Sequence, residues 1–181
     1  MRGIALSIIF ISLTACSHPY EPDITQQAYN SPPQKPVKTV DYSQRLPQLI
    51  AATGEKVIVV NPQVHAWGAY SSDGQLVRGG LATAGGDWCP DIHRACHTKS
   101  GSFRIESLGS FNCISHKYPV PKGGAPMPYC MFFNGGQGLH GSYNVVDANV
   151  SHGCVRLTVP DAEWLRFNFV NVGTKVIVRP Y

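Results

Sequence analysis

This sequence predicts a mainly β domain, a sandwich or barrel-like sheet, with one short helix near the C-terminus. Three observations carry that reading. Short runs rich in β-branched and aromatic residues recur from Lys56 onward. Turn-forming residues, 18 Gly and 14 Pro, punctuate them. Only the stretch from Thr158 combines a helix start signal with a well-defined apolar face. Many short strands separated by Gly and Pro belong to all-β architectures.

The elements follow in chain order. A weaker helix is predicted over Ser43–Ala52, ended by Gly54. Lys56–Asn61 is a β-branched strand stopped by Pro62. Val64–Tyr70 alternates around Trp67, and Ser72-Asp73-Gly74 is a turn signal, so Gln75–Thr83 returns as a hairpin partner. Gly101–Leu108 alternates as one strand, Met127–Asn134 forms another before Gly135-Gly136, and Lys175–Val178 is the last. At Thr158-Val159-Pro160-Asp161, a Thr cap is followed three residues later by an acid, close to a capping box. Pro160 is acceptable in a first turn. Ala162, Trp164, Leu165 and Phe169 form the apolar face, and Arg166 lies on the favourable end of the helix dipole.

The N-terminus reads as an export signal. Arg2 precedes an uncharged apolar run, Ile4–Leu13, too short for a bilayer core that needs about 20 residues. Leu13-Thr14-Ala15-Cys16 resembles a bacterial lipobox, which makes Cys16 the lipidated first residue of the mature chain. Ordinary secretion with cleavage near Ala15 is the alternative. Ser17 rather than Asp favours the outer membrane, on its periplasmic face. Residues 16–40 are Pro-rich and poor in large aliphatics, the composition of a flexible tether. The folded domain then spans 41–181. A net charge of +4 without any basic run argues against nucleic acid as a partner.

Six cysteines are present, and setting Cys16 aside leaves five: Cys89, Cys96, Cys113, Cys130 and Cys154. An odd number in an oxidising compartment points to one free thiol. Cys154 is the natural odd one out. The other four allow three pairings; proximity in the chain favours Cys89–Cys96 and Cys113–Cys130.

The chemistry concentrates in Ser151-His152-Gly153-Cys154-Val155-Arg156, with His140-Gly141 upstream. Thiol plus imidazole is the equipment for nucleophilic acyl transfer. Cys154 is the candidate nucleophile, and its thiol needs a base at neutral pH. His140 is that candidate base. An extended 152–157 segment would put His152, Cys154 and Arg156 on one face and Val155 and Leu157 in the core. Gly153 can break this register, and N–H groups near Gly153 and Cys154 can form an oxyanion hole. Arg156 suits a substrate carboxylate.

These residues, His140-Gly141 and Ser151-His152-Gly153-Cys154-Val155-Arg156-Leu157, resemble the signature of the L,D-transpeptidase catalytic domain, the YkuD family. Thr98-Lys99-Ser100-Gly101-Ser102-Phe103-Arg104-Ile105 resembles an upstream family segment, departing from it at Lys99 and Ser100. Met127–Asn134 resembles the strand before the His-Gly motif. The resemblance implies a β-sandwich with a short helix after the cysteine, and a cysteine acyltransferase acting on peptidoglycan stem peptides. It implies Cys154 as nucleophile on a diaminopimelate–D-Ala bond, His140 as base and acid, and His152 with nearby N–H groups on the oxyanion. Arg156 would hold the segment or a stem carboxylate, Gly141 and Ser142 would orient the base, and Ser151 would fix the turn. The Cys89–Cys130 region lies outside the family signature and is expected to staple substrate-facing loops. Gly123-Gly124-Ala125-Pro126 is either a mobile lid or an ordinary loop. No cofactor and no metal is called for.

Four other readings compete. The thioester can be hydrolysed instead of aminolysed. Sortases also place His before Cys and a later Arg on a β scaffold, but with a far more distant histidine and an arginine further from the cysteine. His140, His152 and Cys154 could instead bind zinc. A non-catalytic peptidoglycan-binding lipoprotein is disfavoured because both Cys154 and His140 are present.

Overall fold

A buried β-branched strand organises the domain. The computed structural model describes residues 40–181; the expected export signal, Cys16 and the expected tether up to residue 39 lie outside the described residues. Strand β1, Val57–Asn61, has Val57, Ile58, Val59 and Val60 all buried. Ile58 and Val60 face the main core, while Val57 and Val59 pack with Tyr70 on the opposite side. A strand covered on both faces has no polar alternation, which explains the continuous aliphatic run.

The chain folds as two sheets, as a mainly β sandwich with one short helix requires. Strands β2, Ala66–Tyr70, and β3, Leu76–Leu81, complete the predicted hairpin against β1. Strand β4 is Gly101–Arg104, β5 Ser107–Leu108, β6 Met131–Asn134, β7 Gln137–Ser142, β8 Val155–Thr158 and β9 Lys175–Val178. The order is β3-β2-β1-β9-β4 in one sheet and β5-β6-β7-β8 in the other. Ile58, Val60 and Trp67 share one core with Met131, Phe133, Leu139, Val155 and Leu157.

Four expectations are corrected. Ser43–Ala52 is not a helix. A 3-10 turn over Tyr42–Arg45 is capped by Asp41 and ends at Leu46, whose φ of −116° and ψ of 149° are extended. The residue before a proline avoids the helical region, and Pro47 imposes that here. Gln48 and Ile50 then bond to Leu76 and Gly74. The Gly101–Leu108 strand is two strands, because Ile105 N–H bonds to Thr174 while Glu106 N–H bonds to Phe132 in the other sheet. Alternation survives such a crossing, so the pattern hides it.

The return strand stops at Leu81. Thr83 then exchanges two backbone bonds with Arg156, and Ala84 and Gly86 bond to Ser151. The segment after β3 thus borders β8 and its preceding turn. Finally, Met127–Asn134 yields a strand only from Met131 onward. A hairpin then leads into β7, with Gly135 and Gly136 at φ of 50° and 108° and Asn134 paired to Gln137. Positive φ at both central positions is what a two-residue hairpin of this kind demands.

Helix α1, Val159–Trp164, begins where predicted. Thr158 Oγ1 accepts from Asp161 N–H at 3.2 Å and donates to the Asp161 carboxylate at 2.7 Å. Arg78 bonds the same carboxylate at 2.6 Å, tying the helix start to β3. A π turn over Leu165–Phe169 extends the apolar face, with Leu165 and Phe169 buried. Disulfides join Cys89 to Cys96 and Cys113 to Cys130, the two pairings that chain proximity favoured.

Candidate active site

Strands β7 and β8 run side by side in parallel, with His140 opposite Arg156 and Leu139 opposite Val155. Adjacent strands lie about 4.8 Å apart. The register therefore brings His140, Arg156 and the preceding Cys154 to one end of the sheet. All three line a cleft of about 680 Å³, with His152 and Ser151 beside them.

Residues 152–154 are not extended. The strand starts at Val155, and Gly153 sits at φ +115°. That conformation favours glycine and turns the chain just before the thiol. The shared-face arrangement thus has a different origin from simple alternation. Only Val155 and Leu157 inward, against Arg156 on the cleft side, follow the strand rule.

Ser151 holds this turn. Its hydroxyl donates to the Cys154 carbonyl and accepts from Gly153 N–H at 3.1 Å. Gly153 N–H is thereby engaged, which leaves Cys154 N–H as the backbone donor beside the candidate nucleophile. Thr98, fully buried, donates from its hydroxyl to the Gly153 carbonyl at 2.9 Å and accepts from Gly85 N–H. A trans peptide points its C=O and N–H in opposite directions. Thr98 therefore directs Cys154 N–H away from itself by holding the carbonyl on the other side. Its place at the head of the upstream motif was legible; this bond was not.

His140 is 6% exposed, and its Nδ1 lies 2.8 Å from the Gly141 carbonyl oxygen. A carbonyl only accepts, so Nδ1 carries the proton and Nε2 keeps its lone pair. Burial lowers the imidazole pKa to about 4; the Gly141 bond opposes this and the Arg156 charge adds to it. The ring is neutral at pH 7. Burial also raises the Cys154 thiol, against the Gly138 backbone bond and the Arg156 charge. With both groups uncharged, attack by the sulfur would require the proton to move in the same step.

Arg156, with Arg94 and Lys117, gives the cleft three cations, and no Asp or Glu lines it among the described residues. His152 Nε2 contacts both carboxylate oxygens of Asp91 at 2.8 Å, and its ring lies 4.4 Å from that of Tyr118. Asp91 and Tyr118 carry no sequence signal, since their partner is distant in the chain. Gly124 N–H bonds to Ser115 and Ser115 N–H to Ala125, so the Gly123–Pro126 stretch is anchored along the cleft wall.

Among the described residues, one metal-ligating trio converges: Cys89, Asp91 and His152, within 4.8 Å of one another. Cys89 is oxidised in its disulfide and has no thiolate to offer. The converging trio is not His140, His152 and Cys154.

Residues 55–178 match the family model of the L,D-transpeptidase catalytic domain, YkuD. Similar folds occur in an L,D-transpeptidase from Xylanimonas cellulosilytica, at 23% identity and TM-score 0.62, covering 75% of this chain and 66% of that one. An L,D-transpeptidase from Mycobacterium smegmatis gives 22% identity and TM-score 0.57, covering 70% and 59%. L,D-transpeptidase 3 from Mycobacterium tuberculosis, solved with a faropenem-derived adduct, gives 22% and 0.55, covering 69% and 60%. The chain thus spans roughly three fifths to two thirds of these structures. No curated protein matches the sequence.

Proposed function

The chain belongs to the L,D-transpeptidase catalytic domain family, YkuD, and on that premise we propose that it is a peptidoglycan L,D-transpeptidase with Cys154 as nucleophile. The observation that carries this reading is the fixed tautomer of buried His140, which keeps Nε2 unprotonated in the cleft that also holds the only free thiol among the described residues.

His140 Nε2 takes the thiol proton as sulfur attacks the carbonyl of the diaminopimelate–D-Ala bond. Cys154 N–H and His152 stabilise the tetrahedral oxyanion. The C–N bond breaks, His140 returns the proton to the leaving D-Ala amine, and a thioester remains. An acceptor amine then attacks that thioester. His140 takes its proton, the C–S bond breaks, and the thiolate is reprotonated. Arg156 pairs with a stem carboxylate in a cleft free of competing acids. The cross-link, or attachment of a protein to the wall, is the product; water in place of the amine gives a carboxypeptidase.

We also assign residues 1–15 to a lipoprotein signal, Cys16 to the lipid anchor, 16–40 to a tether and 41–181 to the catalytic domain, at the periplasmic face of the outer membrane. The family acts at the cell wall, outside the cytoplasm, and two disulfides accord with that setting.

The test incubates the protein with disaccharide-tetrapeptide and, separately, with faropenem. Wild type releases D-Ala, forms dimers and acquires an adduct on Cys154; Cys154→Ala does none of these. A wild type with intact disulfides that remains unmodified by both would refute the proposal. Tripeptide monomers without dimers would establish the carboxypeptidase. Metabolic labelling with a fatty acid that stays on Cys16→Ser would overturn the anchor.

A further inference from the structure

Among the described residues, His152 is the one imidazole on which both disulfide-closed loops converge. The Cys89–Cys96 loop brings Asp91 to Nε2, with both carboxylate oxygens at 2.8 Å. The Cys113–Cys130 loop lays Tyr118 over the ring at a centroid separation of 4.4 Å and an interplanar angle of 33°. The sulfur of Cys89 lies within 4.8 Å of the Asp91–His152 pair, so the crosslink abuts the contact it frames.

We propose that Asp91 is a positioning residue of the active site, holding the His152 ring through Nε2 in the orientation that serves the oxyanion. This rests on the reading of His152 as an oxyanion stabiliser. The ionised carboxylate only accepts, so Nε2 carries a proton; donation from Nδ1 to the oxyanion then requires the imidazolium form, whose charge the Asp91 carboxylate offsets. Asp91 stays ionised because its bond to His152 holds it below the usual carboxylate range. Tyr118 restricts rotation from the ring face. Orienting partners of this kind govern how well a neighbouring group acts.

The pair is partly exposed, with side chains 29% and 39% accessible. Pairs at such sites add little stability, so removing Asp91 is compatible with a folded domain. The full-length protein is compared with Asp91→Ala and Asp91→Asn in two reactions at Cys154, plus a melting curve. Faropenem acylation develops an oxyanion; iodoacetamide alkylation does not. Asp91→Ala is expected to slow acylation by about tenfold to a hundredfold. Alkylation should stay within about twofold. Asp91→Asn, whose amide oxygen still accepts from Nε2, should fall between Asp91→Ala and wild type. The proposal is overturned if Asp91→Ala acylates at the wild-type rate, or loses acylation and alkylation in equal proportion. A wild type that is alkylated but never acylated sinks the transpeptidase reading instead.

Discussion

Acidification probes the buried His140 most directly. Burial holds its imidazole at about 4 in the folded chain, against an ordinary value of 6.5. Between those values the unfolded chain binds a proton that the native one refuses, so stability rises with pH across that window. The contribution is flat above pH 6.5, declines as pH falls toward 4 and levels off below it. The full gap of about 2.5 corresponds to about 3.5 kcal/mol at about 1.4 kcal/mol per pH unit, of which about 3 kcal/mol is lost by pH 3.5. That is a large share of the 5–15 kcal/mol typical of a domain. His140→Gln, which cannot titrate, isolates the effect: urea unfolding of both proteins from pH 7.5 to 3.5 gives their stability difference. Wild type should lose about 3 kcal/mol relative to the variant, mostly between pH 6.5 and 4. Faropenem acylation should keep its rate down to about pH 4, because the base stays unprotonated. A stability difference constant with pH, together with an acid limb of acylation near 6.5, would refute the burial argument.

Thr98→Val removes the hydroxyl shared by the Gly153 carbonyl and Gly85 N–H. Each buried group left without a partner costs about 1–3 kcal/mol; calorimetry should show the lower Tm, with acylation slowed as Cys154 N–H loses its orientation. Gly153→Ala must place a side chain at φ +115°, a strain of about 1–3 kcal/mol. The new Cβ would meet the Gln137 amide nitrogen at 2.9 Å, the movable end of a side chain, so backbone strain dominates. Its denaturation midpoint should drop and Cys154 acylation should fall with it. Arg156→Gln should raise KM for a donor stem with a free carboxylate by about tenfold, the loss of about 1.4 kcal/mol. An equal effect on a fully amidated donor would exclude carboxylate pairing.

The Val57–Val60 run, the Thr158–Asp161 cap and the alternation at Val155 and Leu157 are local, and local chemistry determined them. The one failed helix, at Ser43–Ala52, also had a local cause in Pro47. The sheet change at Ile105 left no trace, because alternation persists across it.

Cys154, His140, His152 and Arg156 stood out by residue type and spacing, since a thiol and an imidazole suffice for acyl transfer, and the family resemblance supplied the role expected of each. Chain proximity likewise pointed to the disulfide pairs. Only the tertiary structure decided how those residues are held. The β7–β8 register sets His140 beside Arg156, and burial makes its ring neutral. Thr98 and Ser151 lock the glycine turn before Cys154. Asp91, 61 residues away, reaches His152 only because the chain folds back on itself. Hydrogen bonds and desolvation depend on distance in space. The spacing of residues along a chain encodes their order and periodicity, and that physical difference separates what could be read from what had to be seen.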